Sequence, residues 1–367
     1  MLDEISLKDL AATQSSGPIL SVYLNVDPTQ RTAEEYKLHL REMLKQVNDL
    51  ADAKDIEAVK RYVELEFDWS GRGLAIFSKR TDDLWAAYPL AVPVDSSVTV
   101  AHRPRLSPLV QLFRRYGRYG VALVDRQGSR FFAFLMGQLL AQDGVLGEDV
   151  RHTRKGRGSS MVGMRGGAPH SGRREAELVQ RNLRESITSL GAFVQAHHLH
   201  QLLLAGAEAT VSQFRELLPA PLEGLVVGTF AADMAANEIE IRDLSFAILE
   251  KLAHQHQQQL TNTVVTATAK GQNGVIGLDA TLSVIHEGRV QALIVEAGFH
   301  QPGYRCAGCG YLTAQPMERC VFCGGKFEQT PDAVEDVVCQ AVANGIDVDI
   351  VPSDTIAKAK IGALLRY

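Results

Sequence analysis

Four cysteines form two pairs with the same internal spacing in the last quarter of the sequence. Two residues separate the cysteines of each pair, ten residues separate the pairs, and a glycine, Gly310 or Gly324, follows each pair. Two intervening residues let both thiolates of a pair reach one metal ion, and the glycine permits a tight turn that aims backbone amides at the sulfurs. Four thiolates fill a tetrahedral coordination sphere, so the spacing predicts a structural Zn²⁺ ion, with a rubredoxin-type iron as the alternative. The predicted metal ligands are Cys306, Cys309, Cys320 and Cys323.

A second stretch, residues 151–174, combines positive charge with glycine. It contains seven Lys or Arg residues and no Asp or Glu, although the whole chain has a formal net charge of −5. Phosphates attract such a segment, glycines let its backbone approach them closely, and the helix predicted after it adds the positive end of its dipole. The composition predicts an anionic ligand of the phosphodiester type, with a solvated surface loop as the alternative. The residues predicted to bind RNA are Arg154, Lys155, Arg157, Arg165, Gly166, Gly167, Arg173 and Arg174.

Common catalytic signatures are missing from the sequence. It contains no Walker A loop, no G-x-G-x-x-G after a strand, no G-x-S-x-G and no H-E-x-x-H. Five cysteines, four of them clustered, are too few for a disulfide scaffold, and Cys339 is predicted to be a small core residue. These patterns favour a binding protein over the enzyme classes that such motifs mark.

Alternating strand and helix patterns predict an α/β protein of three domains. A β-hairpin is predicted around a turn at 126–128, and residues 263–269 (TVVTATA) are predicted to form a strand. Apolar residues at spacings of four, four, three and four from Val179 to Val194 predict an amphipathic helix. The predicted domains are an N-terminal α/β domain at 1–115, a middle domain at 116–258 that contains the basic loop, and a C-terminal domain at 259–367 with a zinc ribbon inserted at 304–327.

Membrane insertion is not expected. No segment approaches the ~20 apolar residues that span a bilayer, and the first residues lack the basic-then-apolar order of a signal peptide. The sequence therefore predicts a soluble, cytoplasmic protein with no membrane contact.

The order of these motifs resembles the bacterial branch of the archaeo-eukaryotic peptide chain release factor and Pelota superfamily. The resemblance lies in the segments RGGAPHSGRREAELVQRNL, GVALVDRQGSRFFAFLMG and LLLAGAEATVSQFRELL and in the terminal IGALLRY. It also lies in the inserted residues 304–327, which contain the four cysteines and are called the cysteine module below. It implies an RNase H-like middle domain and a C-terminal domain of αβα type similar to an RNA-binding ribosomal protein. It also implies binding to the ribosomal A site and its rRNA, with a translational GTPase as a possible partner.

The sequence departs from the superfamily at the residue that matters for chemistry. Release factors place a glutamine after Gly-Gly to position water at the ester of peptidyl-tRNA. Here Ala168 follows Gly166 and Gly167, and Pro169 comes next. Alanine has no amide to orient water, and proline removes a backbone donor.

This departure favours a factor that binds ribosomes in rescue, in a stalling response or in hibernation. The alternative is an enzyme, either a peptidyl-tRNA hydrolase that releases peptides or an RNA-cleaving enzyme, that uses His170 or Ser171 in place of the missing amide.

Overall fold

Internal contacts divide the chain into two units in the computed structural model, which describes residues 2–13, 15, 17–147, 169–353, 355–356 and 359–367, with only the backbone at 169–173. Residues Tyr116–Lys251 form the middle unit. Residues Met1–Arg115 and Leu252–Tyr367 together form the split unit. The further division of the split unit into N-terminal and C-terminal domains stays a prediction. No helix in the described part of the chain is both long and apolar enough to cross a membrane.

The middle unit contains a five-stranded mixed sheet in the order β7-β6-β5-β8-β9. Its first three strands are antiparallel, and β8 and β9 continue the sheet in parallel from β5. The predicted hairpin is confirmed as β5 and β6. The strands are β5 (Arg118–Val124), β6 (Gly128–Leu135), β7 (Gln138–Leu146), β8 (Leu202–Gly206) and β9 (Val226–Phe230), and the helices are α5 (Pro169–Ala196), α6 (Glu208–Leu217) and α7 (Ala220–Glu223).

The predicted apolar stripe of α5 forms much of the core of the middle unit. Its side chains recur every three or four residues, so they lie on one face of the helix. That face packs with Phe131, Phe214 and other buried residues of the sheet and of α6. The stripe consists of Val179, Leu183, Ile187, Leu190 and Val194, all of them buried.

The first 101 residues of the split unit form an antiparallel sheet in the order β3-β2-β1-β4. Leu20, Val22 and Leu24 alternate on one face of β1 and join a core with α2 and α3. A capping box starts α2, in which the Thr32 and Glu35 side chains bond each other's backbone amides. The elements are α1 (Glu4–Ala12), β1 (Ile19–Asn25), α2 (Ala33–Gln46), α3 (Ala53–Arg61), β2 (Gly73–Lys79), β3 (Leu84–Leu90) and β4 (Ser97–Ala101).

The C-terminal part of the split unit contains a second sheet in the order β10-β16-β11-β15. Strands β11 and β15 are parallel, and β16 is antiparallel to β11 and β10. Helix α4 (Ser107–Tyr116) precedes the middle unit, and helix α8 (Glu238–Ala269) follows its last strand. The remaining elements are β10 (Gly274–Ile276), α9 (Leu278–His286), β11 (Val290–Glu296), β12 (Gly303–Cys306), β13 (Leu312–Thr313), β14 (Phe327–Thr330), α10 (Ala333–Ala343), β15 (Asp347–Val351) and β16 (Ile361–Leu365).

The strand predicted at 263–269 is wrong, because these residues are the last turns of α8. Val264 is fully buried against the second sheet, while the adjacent Val265 is 40% exposed. Thr263 and Thr268 donate their hydroxyls to carbonyl oxygens four residues earlier, which satisfies them inside a helix. The β-branched residues had predicted a strand, and tertiary packing at a spacing of three to four residues overrides that preference.

A buried carboxylate joins the two parts of the split unit. Glu335 on α10 accepts hydrogen bonds from the Leu106 amide at 2.6 Å and the Ser107 amide at 3.0 Å, and its other oxygen lies 2.7 Å from the Ser107 hydroxyl. Glu335 thus caps α4 from a position more than two hundred residues away in the sequence. Cys339, one turn later, is buried as predicted and donates to the Pro104 carbonyl at 3.3 Å.

The Glu335→Gln substitution is expected to remove a pH dependence of stability. Burial raises the pKa of Glu335 above its usual value, against the opposing effect of its hydrogen bonds. The carboxyl group therefore contributes stability that is complete below its unfolded pKa, about 4.3, and is lost as the pH rises through the folded pKa. Urea unfolding between pH 4 and 8 should show that the wild type loses stability relative to Glu335→Gln as the pH rises.

The matched variant Glu335→Ala leaves the two amides without an acceptor and should cost about 1–3 kcal/mol at every pH. Parallel stability curves for the wild type and Glu335→Gln would contradict the pH prediction.

Candidate metal centre and basic loop

The four cysteines lie in two turns at one end of a small three-stranded sheet in the order β13-β12-β14. Cys306 ends β12, and its turn leads to β13. The turn at Cys320 leads to β14. Cys306 and Cys320 are buried, whereas Cys309 and Cys323 lie at the surface. The sequence had predicted this arrangement of paired turns from the spacing alone.

The four sulfur atoms converge on one point. All lie within 4.8 Å of one another, with 3.4 Å between Cys306 and Cys323 and 3.5 Å between Cys309 and Cys320. Four sulfur atoms that coordinate one metal ion tetrahedrally, with metal–sulfur bonds of about 2.3 Å, lie about 3.8 Å from one another. The donor set fits a closed four-thiolate metal site, because no position is left for water or substrate. In the described residues this is the one group of His, Cys, Asp or Glu side chains that could hold a metal ion.

Glycines shape both turns around the sulfurs. Gly310 and Gly324 have φ angles of +77° and +73°, and a residue with a side chain would be strained at these backbone angles. Their own amides close the turns by donating to the Cys306 and Cys320 carbonyls rather than to sulfur. The Gly308 amide donates to the Cys306 Sγ at 3.4 Å. A Cβ atom at Gly325 would lie 2.9 Å from the same sulfur, so this position also excludes a side chain.

The thiols differ in acidity because their surroundings differ. Hydrogen bonds from the Cys309 and Gly308 amides lower the pKa of Cys306 to about 6. Although Cys309 lies at the surface, partial desolvation of its sulfur, followed by the hydrogen bonds of the neighbouring cysteine sulfurs, raises the pKa of Cys309 to about 12. A bound metal ion deprotonates all its thiol ligands, so the amide donors around Cys306 favour the form that binds metal.

The cysteine module packs on α9 through aromatic side chains. The His286 ring lies 4.5 Å from Phe322 and 5.2 Å from Tyr311, measured between ring centroids. The Asp279 carboxylate accepts the Ala314 amide at 2.9 Å. These contacts link residues that are distant in the sequence and have no local pattern, so no sequence signal marks them.

Most residues predicted to bind RNA lie outside the described residues. Arg173 and Arg174 lie in the first two turns of α5, and the Arg174 side chain is exposed. The undescribed positions are Arg154, Lys155, Arg157, Arg165, Gly166 and Gly167. His170 and Ser171, the residues of the alternative enzymatic hypothesis, lie in the helical backbone at the start of α5.

The last described residue before the basic loop lies beside the middle of α5, far from the first residue of that helix. Gly147, the last residue described before the loop, donates its amide to the Gln127 carbonyl at 2.7 Å, and a Cβ atom on it would touch Asn182. The Asn182 amide in turn donates to the Arg126 carbonyl at 3.1 Å. Helix α5 begins at Pro169, inside the basic segment 151–174, thirteen residues before Asn182 and therefore about 20 Å away along the helix. The chain from Gly147 to Pro169 must span that distance.

Comparisons with known proteins agree with the sequence resemblance over the centre of the chain. Residues 104–257 match the model of bacterial archaeo-eukaryotic release factor family 10. No curated protein matches the chain.

Three of the solved structures that match the chain show low structural similarity to it. The archaeal translation termination factor aRF1 is 14% identical, with 100% of this chain and 99% of that chain covered and a TM-score of 0.26. Dom34 of S. cerevisiae is 7% identical, with 100% and 93% covered and a TM-score of 0.40. Archaeal Pelota, from a model of ribosome-bound Pelota and ABCE1, is 12% identical, with 100% and 95% covered and a TM-score of 0.41. At these TM-scores no residue role is transferred from them.

The family match covers α4 and the whole middle unit, including the basic loop and α5. These are the elements in which the sequence motifs of the resemblance lie. Residues 104–257 of the chain therefore match the bacterial branch of the archaeo-eukaryotic release factor superfamily, in agreement with the resemblance that the sequence predicted.

Proposed function

We propose that the protein is a cytoplasmic translation factor that binds the ribosomal A site and does not hydrolyse peptidyl-tRNA. The observation that supports this most is the position of the basic loop in a unit that matches a release factor family. Residues 151–174 contain seven Lys or Arg residues and no acid in a chain with net charge −5, so they offer a phosphate backbone concentrated positive charge.

The first turns of α5 precede the part of the helix that packs in the core of the middle unit. Val179 is the first buried residue in the described part of the helix. Glu175 contacts Arg126 at 3.3 Å, and the helix continues towards its N-terminus for six more residues, about 9 Å, up to Pro169. Its N-terminal end adds the positive end of the helix dipole beside Arg173 and Arg174. We assign phosphate pairing to these arginines and to Arg165, and close approach of the backbone to Gly166 and Gly167.

The residues that correspond to the release-factor Gly-Gly-Gln motif support binding without hydrolysis. Ala168 follows Gly167 and offers no hydrogen-bonding group to a water molecule or to an ester oxygen. A factor with this sequence can occupy the site of a release factor while it leaves the peptidyl-tRNA ester intact. We therefore propose a role in ribosome rescue, stalling response or hibernation, with a translational GTPase as a possible escort.

The domain assignments that the resemblance implies belong to the same proposal. The five-stranded mixed sheet of the middle unit supports the RNase H-like middle domain. The sheet of β10, β16, β11 and β15, with the cysteine module inserted between β11 and α10, supports the C-terminal domain. We propose Zn²⁺ as its metal, because four thiolates in a closed tetrahedral site are the usual ligands of structural zinc.

The double variant Arg173→Glu/Arg174→Glu is expected to bind purified ribosomes at least tenfold more weakly than the wild type at about 0.1 M salt. Each lost phosphate contact should also reduce the slope of log K against log salt concentration by about 0.7–0.9. Co-sedimentation with stalled ribosomes over a salt series measures both quantities. The control Arg184→Glu/Arg215→Glu makes the same charge change on exposed residues of α5 and α6 and should bind like the wild type.

Equal binding by the wild type and Arg173→Glu/Arg174→Glu across the salt series would reject the proposal. The same ribosomes, when loaded with labelled peptidyl-tRNA, also test the enzymatic alternative. We expect no release of peptide above the rate without protein. Release that disappears in His170→Ala would instead assign the protein to the hydrolases.

A further inference from the structure

A cavity of 510 Å³ lies in the split unit, far in sequence from the basic loop and from the cysteines. It opens where β1 and β11 end, beside the first turns of α4. Its volume falls within the range of about 300–1,000 Å³ typical of ligand sites. Neither the proposed ribosome contact nor the metal site uses it.

The first cationic group in the cavity is Arg105, which the fold holds in place. Its carbonyl accepts the Tyr23 hydroxyl at 2.6 Å, its amide donates to the Ser21 hydroxyl at 3.1 Å, and its Nη1 lies 3.3 Å from the Thr99 hydroxyl. The Nε atom is buried and has no hydrogen-bond partner among the described residues. No described residue forms a hydrogen bond with Nη2 either, and a guanidinium with such unused donors can bind an oxyanion.

A second arginine faces the same cavity from α4. Arg115 is half-buried, and no described residue forms an ion pair or hydrogen bond with it. Gln111, one turn earlier on the same helix face, adds an amide donor. The first amides of α4 are not available to a ligand, because Glu335 already accepts them. The two arginines therefore supply the positive charge of the cavity.

The remaining walls limit what can bind. Leu112 and Ile350 are buried apolar residues that line the cavity, and Pro93 and Pro108 extend this surface. Asp95 is exposed and offers an acceptor to a hydroxyl or amino group of a ligand. A bare ion would leave the apolar walls unused, and an apolar molecule would leave the arginines unpaired.

We propose that this cavity binds a phosphate-bearing ligand of mononucleotide size. The phosphate pairs with Arg105 and Arg115, the ring packs on Leu112, Pro108 and Ile350, and Asp95 accepts a hydroxyl or amino group. Both a free nucleotide and the terminal nucleotide of an RNA strand have this chemistry. The site is independent of the ribosome contact proposed for the basic loop.

Isothermal titration of the full-length protein with 5′-AMP, adenosine and inorganic phosphate tests the proposal. We expect 5′-AMP to bind at least tenfold more tightly than either adenosine or phosphate alone. Arg115→Gln should weaken binding of 5′-AMP at least tenfold and leave binding of adenosine unchanged. The matched control Arg61→Gln changes an exposed arginine outside the cavity and should bind like the wild type.

Ala297→Trp provides a second variant, since Ala297 is exposed at the cavity and a large ring there should block all three ligands. A ten-nucleotide RNA serves as a competitor of 5′-AMP. If it displaces 5′-AMP from the wild type and binds Arg115→Gln poorly, the ligand is an RNA end. If it does not displace 5′-AMP, the ligand is a free nucleotide. Equal affinity for 5′-AMP and adenosine, or wild-type affinity in Arg115→Gln, would reject the site. Arg173→Glu/Arg174→Glu should bind 5′-AMP normally, so failure of the ribosome proposal would not affect this result.

Discussion

Replacing Cys320 with serine is expected to abolish metal binding and to unfold the cysteine module. The wild type should contain about one Zn²⁺ per chain, and the variant less than about a tenth of that, because structural zinc sites bind with about 10–16 kcal/mol and depend on all four thiolates. The module has little core of its own besides Cys306, Tyr311 and Cys320. Metal binding must therefore supply most of its folding free energy.

Elemental analysis of the purified protein measures the metal content and separates zinc from iron, the alternative for four thiolates. Limited proteolysis should cut the Cys320→Ser variant, or the chelated wild type, between residues 303 and 330, and leave the metal-bound wild type intact. Cys339→Ala is the matched control, because Cys339 is a buried residue of α10 that lies outside the cysteine module. A wild-type protein that resists proteolysis at these residues without any metal would contradict the prediction.

The second large effect is expected at a buried ion pair of the split unit. Arg114 on α4 donates to the Asp349 carboxylate on β15 through Nη2 at 2.7 Å and Nε at 3.2 Å, and the Asp349 side chain is 2% exposed. The His256 ring nitrogen on α8 lies 3.2 Å from the Arg114 Nη2 and 3.5 Å from the carboxylate. Arg114→Met removes the charge that compensates the buried carboxylate and should lower the free energy of unfolding by about 3–5 kcal/mol.

The double variant Arg114→Met/Asp349→Asn should recover most of this loss, because no charge remains buried without a partner. Urea unfolding followed by circular dichroism measures all variants. The control Arg41→Met breaks the exposed pair of Arg41 with Glu64 and should cost at most about 1 kcal/mol. A loss in Arg114→Met no larger than in Arg41→Met would show that the buried pair does not contribute as proposed.

Local patterns in the sequence were sufficient for several elements. The stripe from Val179 to Val194 predicted α5, since side chains three and four residues apart must share a helix face. The hairpin of β5 and β6 followed from two apolar runs around a glycine turn. The convergence of the four cysteines followed from their spacing, because two residues between the cysteines of a pair favour a tight turn whatever the surrounding fold.

Other features depend on contacts that a linear pattern cannot contain. Val264 and its neighbours form the end of α8 because burial at helical spacing outweighs their strand preference. Glu335 caps α4 and Arg114 neutralises Asp349, although more than two hundred residues separate each pair, and the cavity lined by Arg105 and Arg115 is closed by Ile350 from the far end of the sequence. Their roles arise from burial, which makes an unpaired charge or amide costly, and burial is a property of the folded chain.

The sequence by itself therefore determined the cluster of four cysteines, the charge of the basic loop and the superfamily resemblance, which are properties of residue type and spacing. The tertiary structure decided where α8 ends, which carboxylates are buried and which arginines face a common cavity. Spacing acts over one or two turns of chain, whereas these properties depend on which distant segments exclude water from one another.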